Sequence, residues 1–183
     1  IPYAKSYRVF NAEQIDGLPE SYQTQHEAPR DLGTEADPEL DAWFARTGIR
    51  IETISEPRAY YAPGPDKIHM PPIATFLTAH GFYQTLSHES LHGSGHAKRL
   101  DRLKAANTKA EYAREELVAE IGAAMLCATL GIHLEIEQNA AYVEGWLKAL
   151  QEDKREIFRA ASAAQKGCDW LIEAASEEAA EAA

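Results

Sequence analysis

Leu86-Ser87-His88-Glu89-Ser90-Leu91-His92 is the stretch on which the reading of this chain turns. His88 and His92 stand four residues apart, so on an α-helix both imidazoles leave one face about one turn from each other. Two neutral imidazoles at that spacing suit two corners of a tetrahedral zinc site. Glu89 lies beside an ion held there without ligating it, where it can take a proton from metal-activated water. This is the HExxH pattern with a mechanism attached. Three fixed positions also arise by chance, as two helix-surface histidines flanking an acid. The surroundings favour the chemical reading: the predicted helix ends just after His92, at Gly93-Ser94-Gly95. A metal site needs that break, so that the chain can bring round a third ligand.

Two places offer that ligand. Gly95 lies three residues after His92, as in HExxHxxGxxH enzymes, but Lys98 stands where their third histidine falls. His96 comes early, and the two glycines give the backbone freedom to turn it toward the metal. The other place is the run Leu117 to Leu130, whose only charge is Glu120. A carboxylate on so apolar a helix must be paired, coordinated or protonated. Glu116 precedes it by four residues and shares its face. One carboxylate as ligand and one holding a ligating imidazole accounts for both. Thermolysin-like gluzincins use a similar device, and by that register Glu116 is the ligand and Glu120 supports it. Glu120 as direct ligand, His96 as ligand, and a solvated Glu115-Glu116 pair at a helix start remain the alternatives.

Working outward, the chain has 183 residues, 45% hydrophobic and 26% charged, which fits one soluble domain with an extended arm. Its formal charge of −11 argues against this segment gripping a phosphate backbone. Cys127 and Cys168 lack CxxC spacing, so a reducing, cytoplasmic setting is expected. The first twenty residues contain no apolar block, and Ile121 to Leu134 is too short to cross a bilayer. The chain opens on Ile1-Pro2 without Met, from which a domain cut from a longer protein is expected.

Residues 1–38 read as an arm from a missing upstream domain, with one β-like run from Ser6 to Phe10. Residues 39–175 read as the folded domain, and 176–183 as an acidic, Ala-rich tail that frays. Asp37 as N-cap and Pro38 predict a short helix from Glu39 to Thr47, ended by Gly48. Ile49 to Ile54 alternates like a strand, and Ala59 to Tyr61 with Lys67 to Met70 flank Pro63-Gly64-Pro65-Asp66 as a hairpin. Pro72 opens the predicted motif helix. Further helices are expected over Glu111 to Leu130, closed by Gly131, and over Gln138 to Asp153 and Lys154 to Ala175. The fold class is α+β: a small antiparallel sheet packed on an active-site helix, followed by a helical half.

The run His88-Glu89-Ser90-Leu91-His92-Gly93-Ser94-Gly95-His96-Ala97-Lys98-Arg99-Leu100-Asp101-Arg102, with Tyr112-Ala113-Arg114-Glu115-Glu116-Leu117-Val118-Ala119-Glu120-Ile121-Gly122-Ala123-Ala124, resembles the C-terminal zincin-like metallopeptidase domain of ArdC-type antirestriction proteins. The same domain is appended to plasmid TraC-type primases. The likeness continues through Tyr7 to Ile15, Ala59 to Tyr61, Ala141 to Leu147, Asp153 to Arg155 and Ala160 to Gln165. It departs at Gly93-Ser94, where a Trp-Thr pair is expected in relatives, removing an aromatic beside the site and widening the pocket.

The resemblance implies an antirestriction protein carried by mobile DNA. It implies a zinc-dependent peptidase, other divalent transition metals being possible, with a protein or peptide substrate. Restriction-modification proteins are the implied partners, single-stranded DNA is met only through an absent N-terminal domain, and no membrane is involved. The rival reading is a non-catalytic module, braced by its metal, that binds restriction-modification components. Tyr83, Tyr112, Tyr142 and His96 are candidates to stabilise an oxyanion. Arg99, Arg102 and Arg114 could hold Glu115 or Glu120 or contact a substrate carboxylate, with a solvated basic loop as the default, and Trp43, Trp146, Trp170 and Phe158 read as packing residues.

Overall fold

The computed structural model describes residues 30–103, 108–134 and 155–181. The expected strand-like run Ser6 to Phe10 and the expected helix over Gln138 to Asp153 lie outside the described residues. Helix α1 spans Pro38–Ala45, with the Asp37 carboxylate accepting the N–H groups of Glu39 and Leu40, two donors a helix start leaves orphaned. Gly48 follows at φ 67°, a left-handed turn that glycine adopts without strain. It delivers the chain into β1 (Arg50–Thr53).

Strands β2 (Tyr60–Ala62) and β3 (Lys67–Met70) form the expected antiparallel hairpin, Tyr61 opposite Ile68. The sheet is nevertheless mixed, not wholly antiparallel: its order is β1-β3-β2, and β1 runs parallel to β3 with Ile51 opposite Ile68. The connection from β1 skips one strand position, so the hairpin folds back to put β3 in the centre and leave β2 at an edge. Ile68 and Met70 are fully buried, and α2 packs on β2 and β3.

Pro72 does not open the long helix. It precedes a 3₁₀ turn, Ile73–Thr75, after which Phe76 is extended. Helix α2, Ala79–Ser94, starts at Thr78, whose hydroxyl accepts the Gly81 N–H at 2.9 Å. It ends at Ser94 with Gly95 as C-cap, within the Gly93-Ser94-Gly95 run expected to stop it. Helix α3, Lys109–Leu130, begins two residues earlier than expected. A capping box forms between Thr108 and Glu111, and Gly131 closes the helix at φ 71°. Helix α4, Glu156–Glu181, continues through most of the segment expected to fray. Alanine and glutamate are strong helix formers, and nothing in that tail breaks the run.

The core lies where α2, α3 and α4 meet. Leu91 of α2 is wholly buried there between Gly122 of α3 and Gly167 of α4. A Cβ at Gly122 or Gly167 would stand 2.5 or 2.6 Å from Leu91 Cδ1, so both glycines are close-approach positions. Phe44, Tyr83, Leu86, Leu126, Cys127 and Leu171 complete the same cluster, each contributing roughly 1.5–3 kcal/mol for the aliphatic and aromatic side chains. Phe158, expected to pack, is 75% exposed. Among the described residues, no helix is long and apolar enough to cross a membrane.

Candidate metal centre

The packing of α2 on α3 decides what the histidines meet. Ser87, Ser90 and Leu91 face the core, and each serine hydroxyl is spent on the carbonyl four residues back. That rotation turns His88 and His92 toward the first turns of α3. Their Nε2 atoms lie 3.1 Å apart. Glu116 reaches both, with Oε2 3.5 Å from His88 Nε2 and Oε1 3.5 Å from His92 Nε2. His88, His92 and Glu116 each offer an atom within 4.8 Å of the others, the one such metal-capable group among the described residues.

Each imidazole is also held from behind. His88 Nδ1 faces Glu120 Oε1 at 3.4 Å, and His92 Nδ1 faces Glu115 Oε1 at 3.2 Å. Carboxylates at both Nδ1 atoms assign the N–H there and leave an Nε2 lone pair on each ring. Two lone pairs 3.1 Å apart repel unless a proton or a cation lies between them. The two imidazole nitrogens, 3.1 Å apart, lie near the spacing of about 3.3 Å expected between two donors of a tetrahedral site with bonds near 2.0–2.1 Å, and each has a different Glu116 oxygen at 3.5 Å. Nitrogen and carboxylate donors in this set fit a divalent transition metal.

Burial opposes a charge on His88, but the hydrogen bond with Glu116 and the negative charges of Glu89, Glu120 and Glu116 outweigh it and raise its pKa. Burial likewise opposes charge on Glu116, and the hydrogen bonds from His88 and Tyr112 with the nearby His92 hold it below the usual carboxylate range. Glu115 is buried too, yet Arg102 and His92 keep its pKa low. Burial pushes the pKa of Glu120 up, over the opposing pull of His88.

Glu89 is 8% exposed and lines a cavity of about 410 Å³ in front of the histidines. Its walls include Tyr60 and Tyr61 of β2, Leu103, Tyr112 and Glu116. Of the oxyanion candidates, Tyr112 lines this cavity, whereas Tyr83 is buried and donates to Asp41 at 2.7 Å. Tyr142 lies outside the described residues. His96 stands beside Asp66, its Nδ1 3.6 Å from Oδ2 and accepting the Lys98 N–H at 3.2 Å. A Cβ at Gly93 would meet Ile49 Cδ1 at 2.9 Å and Tyr61 at 3.5 Å, so those side chains stand directly against this glycine.

Two arginines of the basic loop, Arg99 and Arg102, are not solvated. Arg99 pairs with Asp66 through two nitrogens, at 2.7 and 3.3 Å, and Arg102 pairs with Glu115 at 2.7 and 2.8 Å. Glu115 is therefore a residue the sequence reading underrated, as half of an exposed acidic pair. Its signal was the Arg102 upstream, which becomes informative only once the loop is known to fold back. Arg114, 55% exposed, faces Glu156 at 3.4 Å.

Comparison with known proteins agrees with this architecture. A family model described as zincin-like metallopeptidase matches residues 38–163. The DNA primase TraC of Escherichia coli is 43% identical over 165 residues, covering 90% of this chain and 15% of the primase. The protein y4eC of Sinorhizobium fredii is 39% identical over 171 residues, covering 92% of this chain and 54% of that protein. The crystal structure of the metal-free antirestriction protein ArdC from plasmid R388 superposes with a TM-score of 0.73 at 59% identity, covering 97% of this chain and 63% of that one. Its Mn(II)-bound structure gives 0.72 and 60%, covering 96% and 64%. This chain thus spans less than two thirds of the length of these relatives. The matched span contains the HExxH helix and the helix that answers it with Glu116, and on that ground the chain belongs to the zincin-like metallopeptidase family.

Proposed function

We propose that His88, His92 and Glu116 hold a divalent transition-metal ion, zinc foremost, and that Glu89 is the catalytic base of a peptide-bond hydrolase. The observation that carries this is the convergence of three donors within 4.8 Å of one another, with both Nδ1 atoms already engaged by carboxylates. When bound, such an ion supplies Lewis acidity toward water and toward a substrate carbonyl. Glu89 accepts the water's proton on its carboxylate and returns it to the leaving amine. Tyr112, which lines the same cavity and bonds Glu116, is our candidate to turn its hydroxyl toward negative charge growing on the carbonyl oxygen. Strand β2 forms the rim at the sheet's edge, where an extended peptide can add as a further strand.

The setting we propose is a protein carried by mobile DNA that acts in the cytoplasm on a component of restriction-modification systems; its likeness to an antirestriction protein from a plasmid supports this. A non-catalytic brace is the alternative, in which the ion only ties α2 to α3. The cavity in front of Glu89 favours the catalytic reading, since a purely structural site is closed by four protein ligands. Glu89→Gln tests it against denatured protein substrates with products read by mass spectrometry. Metal binding within a few-fold of wild type with cleavage lost by about 10²–10⁴ is expected. Undiminished cleavage by the variant removes Glu89 from the mechanism.

A further inference from the structure

We propose that Arg102 is the positioning residue of this metal centre, fixing the Glu115 carboxylate and through it the His92 ring, although it touches none of the three donors. The inference rests on the metal-site reading above. The guanidinium spends its donors on one cluster: Nε and Nη2 on the two oxygens of Glu115, Nη2 also on the Leu91 carbonyl at 2.6 Å, and Nη1 on the Ser94 hydroxyl at 3.4 Å. Leu91 and Ser94 flank His92 on α2. Arg102 therefore ties the α2 terminus and the α3 carboxylate together on either side of one histidine. A planar fork fixes both oxygens at once, which a lysine ammonium does not do.

The fold makes room for this side chain. Leu100, Arg102 and Leu103 donate their N–H groups back to Ser94 and Gly95, at 3.1, 2.9 and 3.0 Å. Asp101 takes a positive φ of 52° to complete the turn. The turn sends Arg102 beneath the helix it follows, past Gly95, where a Cβ would stand 2.9 Å from Nη2. On the far side, a Cβ on Gly167 of α4 would meet Ser94 Oγ at 3.0 Å and Arg102 Nη1 at 3.8 Å. Two glycines thus line the slot that the guanidinium fills.

The two histidines are consequently held unequally. Glu120 stands behind His88 on an apolar helix, whereas Glu115 stands behind His92 clamped by a cation. Removing the clamp leaves the three donors in place but frees Glu115 to rotate off His92 Nδ1. The loss should appear in metal affinity and not merely in stability.

The test is titration of the whole chain with Mn(II), with free ion read by electron paramagnetic resonance. It compares wild type, R102M, R102K, E115Q, the double variant R102M/E115Q, and K98A as a control in the same loop. R102M and E115Q should each weaken binding about 10- to 100-fold, the range for residues that orient metal ligands. The double variant should be no worse than the weaker single by more than about threefold, because both changes cut one linkage. R102K, with charge but no fork, should remain weak, and K98A should bind as wild type does. Wild-type affinity in R102M, or losses that multiply in the double variant, overturns the proposal. If R102M lacks the native circular dichroism spectrum, R102K carries the test, and wild-type affinity there overturns it equally. Failure of the wild type itself to bind refutes the metal-site reading beneath, and is recognised by the absence of any saturable binding to compare.

Discussion

Asp66→Ala should cost more than its place in a turn suggests. Asp66 sits between β2 and β3 at φ 52°, with its side chain 15% exposed. One oxygen accepts from Arg99 Nη1 and from the Tyr61 hydroxyl, both at 2.7 Å, and the other from Arg99 Nη2 at 3.3 Å. Arg99, 11% exposed, also donates to the Gly93 carbonyl at 3.0 Å and lies over Trp170 of α4. The carboxylate therefore joins the hairpin at the cavity rim to the end of α2. Truncation leaves a half-buried guanidinium and a phenol without their acceptor. Breaking a fully buried pair costs about 3–5 kcal/mol, and rim water reduces this to roughly 2–3 kcal/mol. At this chain length that is a melting temperature lower by about 5–10 °C.

The pH dependence of the same variant has a definite sign. Burial disfavours the Asp66 anion, but hydrogen bonds from Arg99 and Tyr61 and the Arg99 charge overcome it and bring the pKa to about 2, below the ordinary 3.8. A depressed carboxylate pKa stabilises the fold above its unfolded value and ceases to do so as pH falls through the folded one. Urea unfolding should show a constant gap between wild type and D66A from pH 7 to about 5, narrowing from about 4 toward 2. A gap below about 0.5 kcal/mol at pH 7, the size of an ordinary surface substitution, or one that widens in acid, refutes the reasoning.

Other consequences follow from the packing. Gly122→Ala should destabilise by about 1–3 kcal/mol in urea despite alanine's better helix propensity, because its Cβ would lie 2.5 Å from Leu91 Cδ1; a stabilised variant contradicts that close approach. Thr108→Ala should lose about 1 kcal/mol by removing the capping box of α3, and unchanged stability would show the cap to be dispensable. Cys168 is buried, and burial with the nearby Asp169 charge pushes its pKa to about 11. It should resist thiol reagents at pH 8 in native protein and react on unfolding, so rapid native labelling would contradict its burial.

The histidine face was legible because a helix repeats every 3.6 residues, so His88, Glu89 and His92 read directly as one side of a turn. A helix end was legible where glycine reaches positive φ right after the last turn, as at Gly131, whereas α1 ends at Ala45, two residues short of the expected end before Gly48. Strand direction was not: the alternation of Ile49 to Ile54 is the same whether its partner runs parallel or antiparallel, and only the sheet order reveals the mixed pairing. Pro72 misled because a proline suits the opening of a 3₁₀ turn as well as a helix, whereas Thr78 and Thr108 carried the true starts. The loop arginines were least legible. Arg99 and Arg102 are charged residues in a polar stretch, and their burial depends on a turn that closes on Ser94 and Gly95.

The central claim is tested most directly by anomalous-difference maps collected on both sides of the zinc edge, from crystals soaked with zinc. One peak is expected, about 2.0–2.2 Å from His88 Nε2, His92 Nε2 and a Glu116 oxygen. A peak held by His96 or Glu120 in place of Glu116, or no peak near His88 and His92, would contradict the account.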